Sequence, residues 1–153
     1  DRFPHSHYNW VQIFGTRGNG AHTAPFQRKD KLANWGDPAY DQEYLEGWGK
    51  AVSIAAVIPA YNEQQTIGVV LETLLSCALI AEIIVVSDGS TDATVQVAER
   101  YPVKVIALEE NVGKGGAMKV GANHTTCSIL LFLDADLVGL KCQHIEALLE
   151  PVL

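Results

Sequence analysis

The sequence has no apolar run approaching the roughly 18 residues that a membrane-spanning helix needs. Its beginning also lacks the hydrophobic core of a signal peptide. It opens on Asp1 rather than Met, as a processed or excised piece would. Cysteine is scarce. Cys77, Cys127 and Cys142 are odd in number, far apart and in no CxxC or CxxH spacing. That argues against a zinc site or a disulfide framework and predicts a reduced, cytoplasmic setting. Positive charge is thin where order is densest. Residues 1–50 carry six Lys/Arg and six Asp/Glu, whereas residues 51–153 carry five and twelve, so the net charge of −7 belongs to the second part. An acidic domain repels nucleic acid and anionic surfaces, which predicts no nucleic-acid partner. An anionic ligand would need a cation or aimed backbone N–H groups.

Regular periodicity is missing from residues 1–50, which read as an irregular N-terminal arm with a short helix around Asp41–Trp48. All three tryptophans (Trp10, Trp35, Trp48) lie here among glycines and prolines, as in a segment that packs on something. His5 and His7 have no further ligands nearby and read as a solvated tail.

Residues 51–153 are different. Val52–Ile58 is a continuous apolar run ending at Pro59, as a strand buried on both faces would be. Asn62 and Gln65 have capping-box spacing, and Ile67, Val70, Leu71, Leu74 and Ala78 follow on one helical stripe. Ile83–Val86 predicts a second strand, and a helix runs from near Ser90 or Thr91 to about Arg100. Val103–Leu108 predicts a third strand, Lys114–Asn123 a helix, and Ile129–Leu133 a fourth strand. A last helix carries Ile145, Leu148 and Leu149. This alternation predicts an α/β domain, a mostly parallel sheet with helices on both faces and its ligand crevice at the strands' carboxyl ends.

The polar signatures fall at those ends: Pro59-Ala60-Tyr61-Asn62-Glu63, Asp88-Gly89-Ser90-Thr91-Asp92, Asn111-Val112-Gly113-Lys114-Gly115-Gly116 and Asp134-Ala135-Asp136. Two carboxylates one residue apart after an apolar strand are costly to desolvate, and Mg²⁺ or Mn²⁺ would relieve that cost. Alone, an Asp-x-Asp reads more readily as a pair of helix N-caps or a solvated loop; its place after the fourth strand makes it a candidate metal site. Asp88 is placed at the crevice lip, where it could accept from a base N–H, while Thr91 and Asp92 read as caps. The lysine loop is no Walker A motif, which needs Ser or Thr after the lysine and a further Gly six residues before it; Gly115 and Leu108 stand there. No GxGxxG follows the first strand. What remains is a glycine-rich helix N-terminus with one lysine, suited to phosphate or ribose.

Taken together, these four motifs over about Val52–Leu140 resemble the GT-A glycosyltransferases, specifically the family 2 type. Pro59–Glu63, Asn111–Ala117 and Leu133–Leu140 look most like bacterial relatives of dolichyl-phosphate hexose synthases and like glucosyl-3-phosphoglycerate synthases. The resemblance implies a Rossmann-like GT-A nucleotide-binding half, truncated before the acceptor half. It implies transfer of a hexose from a UDP-, GDP- or dTDP-sugar to an acceptor, a polyprenyl phosphate or other phosphorylated molecule, at the inner face of a membrane in the former case. It implies Pro59, Ala60 and Tyr61 around the base, Glu63 at the ribose, Asp88 at the base edge, Lys114 near the nucleotide, Asp134 with Ala135 at the donor, and Asp136 on the metal. The catalytic base is expected beyond Leu153. A non-catalytic nucleotide-binding or assembly module is the alternative. A sugar-phosphate nucleotidyltransferase would need a glycine- and arginine-rich first loop, which Ala60-Tyr61-Asn62-Glu63 is not. The apolar Ile129–Leu133 run, without a later partner strand, predicts an open edge and self-association through it or through the aromatic arm, or else completion by a segment outside this sequence.

Overall fold

The computed structural model describes residues 12–15, as backbone, and 52–153. The five strands are β1 (Gln12–Gly15), β2 (Ile54–Ala60), β3 (Glu82–Asp88), β4 (Lys104–Leu108) and β5 (Ile129–Phe132). They form one sheet in the order β1-β5-β2-β3-β4. The helices are α1 (Ile67–Leu75), α2 (Thr94–Ala98), α3 (Lys114–Ala122) and α4 (Cys142–Leu149). β2 lies at the centre, with Val57 opposite Ile84 of β3 and Phe132 of β5, both in parallel. The α/β reading holds, and the parallel strands are those the apolar runs marked.

A strand covered on both faces sends alternate side chains into two cores. Ile54, Ala56 and Ile58 of β2 pack with Ile67, Val70, Leu71 and Leu74 of α1 and with Ile145 and Leu149 of α4. Ala55 and Val57 face the other way, toward Ile84, Val86, Leu130, Phe132 and Ala117 of α3. Each fully buried Ile or Leu contributes about 1.5–3 kcal/mol relative to exposure. On the α3 face small residues matter more than large ones. A Cβ added at Gly121 would overlap Val57 Cγ1, so glycine lets α3 lie close on the sheet.

Four expectations change. The fourth strand was expected to have an open edge, but β1 covers it antiparallel, with Ile13 opposite Leu131. The motive for self-association through that edge falls with it. Four residues of the arm are therefore regular, and Gln-Ile-Phe-Gly is too short for its period to show. The arm's tryptophans and histidines and the Asp41–Trp48 helix lie outside the described residues. Asn62 and Gln65 do not cap a helix, because α1 starts at Ile67 behind Thr66. Finally, Cys77 and Cys142, 65 positions apart with Cα atoms 5.4 Å apart, are paired as a disulfide. That spacing suits a disulfide. The fold brings the end of α1 to the start of α4, a proximity no spacing rule reveals, and with two of the three cysteines paired the cysteines no longer point to a reduced setting. Cys127 is buried outside this pair. No helix among the described residues is long and apolar enough to cross a membrane.

Candidate functional site

The carboxyl ends of β2, β3, β4 and β5 share one edge of the sheet, and the four polar loops leave from it. A groove of about 290 Å³ opens there, lined by Pro59, Lys114, Gly115, Met118, Phe132, Leu133 and Asp134. Residues 55–75 positions apart along the chain thus meet around one space. Lys114 Nζ and Asp134 Oδ1 form an ion pair across it, with the carboxylate the more sheltered partner.

Lys114 is the first residue of α3, after Gly113 at φ 83°. A cation there opposes the helix macrodipole. The N-terminal N–H groups of a helix offer a cradle for anions, and around Gly113 and Gly115 an added Cβ would meet nothing within 4 Å. Backbone and lysine therefore offer positive potential to the groove, in a domain whose net charge is negative.

Asp136 is exposed and has no ion pair or side-chain hydrogen bond among the described residues, while Ala135 between the two aspartates is 3% exposed. Both lie in the turn after the strand, which puts Ala135 into the core and Asp136 in solvent. Tyr61 is 51% exposed beside the end of β2. Glu63 is half-buried: its Oε2 accepts from Thr66 Oγ1 at 3.0 Å and its N–H donates to Thr94 Oγ1 at 2.8 Å. Ala60 is buried at the last position of β2.

The sequence profile of the family described as Glycosyl transferase family 2 matches residues 55–152, well over half of the chain. The chain belongs to glycosyl transferase family 2. Glucosyl-3-phosphoglycerate synthase of Mycolicibacterium smegmatis is 33% identical over 129 residues, covering 78% of this chain and 43% of its own length. Dolichyl-phosphate beta-glucosyltransferase of Drosophila melanogaster is 39% identical over 102 residues, covering 56% of this chain and 31% of its own. The crystal structure of glucosyl-3-phosphoglycerate synthase from Mycobacterium tuberculosis with Mn²⁺, UDP-glucose and phosphoglyceric acid superposes with a TM-score of 0.61 at 30% identity. It covers 78% of this chain and 45% of that one. The chain spans less than half the length of these relatives.

In this family 2 domain Asp88 is not at a crevice lip. It is 4% exposed, and its Oδ1 accepts from the Val112 N–H at 2.7 Å. Asn111 Nδ2 donates to its carbonyl at 3.2 Å. Gly89 follows at φ 70°, where a Cβ would stand 2.8 Å from Asn111 N. The two loops are so close that the carboxylate serves the chain itself. Neither Thr91 nor Asp92 is the N-cap of α2, which is Ala93 without a side-chain cap bond, although Asp92 Oδ1 accepts from the Thr94 N–H at 2.9 Å. Burial raises its carboxyl, but donation from the Thr94 hydroxyl and N–H and from the Gln64 N–H outweighs that, and the net shift is downward.

The groove gathers Pro59, Lys114 and Asp134 from the predicted set; Tyr61, Glu63, Asp88 and Asp136 are not among its lining residues. Met118 was missed, although it lies one helical turn after Lys114 and so on the same face. Asn62 and Asn111 were missed as well, because their partners belong to other loops.

Proposed function

We propose that this chain is the donor-binding part of a metal-assisted glycosyltransferase, moving a hexose from a nucleoside-diphosphate sugar to a phosphorylated acceptor. The observation that carries this reading is the groove itself. One wall is a helix N-terminus with Lys114, the other is Asp134, and Asp136 stands exposed beyond it. The M. tuberculosis relative was crystallised with Mn²⁺ and UDP-glucose, which supports such a donor and ion here.

The residues present fit a divalent cation of the kind that takes one or two carboxylates and fills its shell with phosphate oxygens and water. Among the described residues no cluster of three ligating side chains exists. Asp136, exposed and uncommitted, is the main protein ligand in this reading, with Asp134 beside it. When bound, Mg²⁺ or Mn²⁺ neutralises the charge that grows on a nucleoside-diphosphate leaving group. Lys114 and the N–H groups of α3 hold the diphosphate on its other side. Lys114 exchanges its pairing with Asp134 for the phosphate, releasing Asp134 toward the ribose. Pro59, Ala60 and the exposed ring of Tyr61 line the base, Glu63 reaches the ribose, and Ala135, buried between the two aspartates, anchors the turn that carries them. Asp88 forms the floor beneath the base edge, with Oδ1 held by Val112.

The acceptor is the less determined partner. A polyprenyl phosphate would bring the enzyme to the inner face of a membrane; a small phosphorylated acid would leave it in the cytoplasm.

A thermal-shift panel of UDP, GDP, dTDP and their glucose or mannose conjugates, with and without Mn²⁺, tests the reading. Ligand at a hundred times its Kd stabilises the fold by about 2.7 kcal/mol. A metal-dependent rise in Tm for one nucleobase is expected. No shift with any nucleotide at millimolar concentration overturns the proposal.

A further inference from the structure

Asn62, which the donor-site reading leaves without a role, stands at the junction of two loops at the site edge. It has φ 52°, the one positive φ on a non-glycine residue among the described residues. That conformation disfavours most L-residues, and asparagine is among the few that tolerate it. The twist delivers its side chain to the loop after β3. Asn62 Oδ1 accepts from the N–H groups of Thr91 at 2.8 Å and Asp92 at 3.3 Å and from Thr91 Oγ1 at 3.4 Å. Its own N–H donates to Ser90 Oγ at 3.1 Å.

The bonds continue along both loops. The Ala93 N–H donates to Gln64 Oε1 at 2.9 Å, and the Gln64 N–H to Asp92 Oδ2 at 3.3 Å. Asp88, at the base of the same loop, holds Val112 just before α3. Tyr61, on one side of Asn62, and Lys114, at the far end of the chain of bonds, are thus referenced to each other through the turn after β3.

We propose that Asn62 is a positioning residue for the donor, clamping the Pro59–Glu63 loop to the Ser90–Asp92 turn so that the base platform and the lysine loop are held ready. Asn62 is exposed and touches no core, so its hydrogen bonds serve loop order more than global stability. Loops ordered before binding do not have to be ordered by the ligand, and affinity rises accordingly. The inference rests on the donor-site reading above.

Two substitutions separate the conformation from the bonds. Asn62→Gly keeps the positive φ and removes the acceptor; Asn62→Asp keeps the acceptor. In the full protein carrying this chain, UDP with Mn²⁺ is titrated by calorimetry, and amide exchange is followed at Thr91 and Asp92. Asn62→Gly is expected to weaken UDP about tenfold, the worth of one or two hydrogen bonds, with faster exchange at both amides and a Tm within about two degrees of wild type. Asn62→Asp is expected to restore affinity to within about threefold, since its carboxylate accepts the same N–H groups. Wild-type affinity in Asn62→Gly, or no recovery in Asn62→Asp, overturns the positioning role. Wild type that binds none of UDP, GDP and dTDP overturns the donor-site reading instead. Exchange then judges the clamp, and unchanged protection of Thr91 and Asp92 in Asn62→Gly overturns it.

Discussion

The sheet carries a lysine–carboxylate pair at each end, and the two pairs are built differently. At the amino ends, Lys104 Nζ lies 3.2 Å from Glu82 Oε1 and donates to the His124 carbonyl at 2.8 Å. Glu82 Oε2 takes the Thr125 hydroxyl and the Cys127 thiol. At the carboxyl ends Lys114 meets Asp134 on the rim of a groove, at a helix N-terminus where a cation is electrostatically out of place. Exposure does not separate the lysines, whose side chains are 46% and 49% accessible. Context does. The first pair, which also borders a hollow of about 310 Å³, is joined by further groups that support it, as a device tying strand starts together would be. The second breaks a local rule beside an open space, and violations of that kind gather at functional sites.

The comparison breaks most sharply at Asp136. Asp136→Asn in the full enzyme is expected to lower turnover about a hundredfold, the scale of losing one electrostatic stabiliser. A loss of only a few-fold in steady-state kinetics would remove Asp136 from the metal. Next come the two lysines. Lys114→Ala is expected to weaken nucleotide binding about tenfold with little change in Tm, consistent with one charged hydrogen bond to phosphate. Lys104→Ala should leave nucleotide affinity unchanged and cost about 0.2–1 kcal/mol of stability, the worth of an exposed pair. If calorimetry and thermal melts found the two variants alike, the distinction drawn between the ends would collapse.

The smallest effect is the pH response of the amino-end pair. Donation by the Thr125 hydroxyl lowers the Glu82 carboxyl from its ordinary 4.5; burial opposes this, and Lys104 adds to the lowering. A carboxyl lowered in the folded state stabilises the fold above its unfolded value and loses that contribution as pH falls through the folded one. Glu82→Gln should therefore flatten the fall of Tm on the acid side of about pH 4.5 by the equivalent of under about 1 kcal/mol. A wild-type slope in the variant would show that the pair does not report on acid stability.

Much of this was legible in the residues. Ile54–Ile58, Ile83–Val86 and Ile129–Leu133 were legible as strands because a strand buried on both faces needs an unbroken apolar run; Val103–Leu108, interrupted by Lys104, is the partly exposed edge strand. Boundaries moved where capping was misread. The helix after Pro59–Glu63 begins at Ile67 because Asn62 is committed elsewhere, and α2 begins only at Thr94 because Asp92 holds that N–H. The candidate site was legible loop by loop, since each motif directly follows its strand. Which motif residues face the groove was not.

The sequence by itself determined the alternation of elements, the edge of the sheet that carries the polar loops, and the family. These follow from local periodicity and from turn residues whose effect reaches only a few positions. Only the tertiary structure decided that Asp88 is buried against Val112, that Asn62 bridges to Thr91 and Asp92, and that Lys114 pairs with Asp134. It also decided that Cys77 meets Cys142 and that β1 covers β5. Such partners are chosen by strand order and by how closely helices settle on the sheet. Two residues become neighbours when the loops that carry them emerge side by side, whatever their separation along the chain.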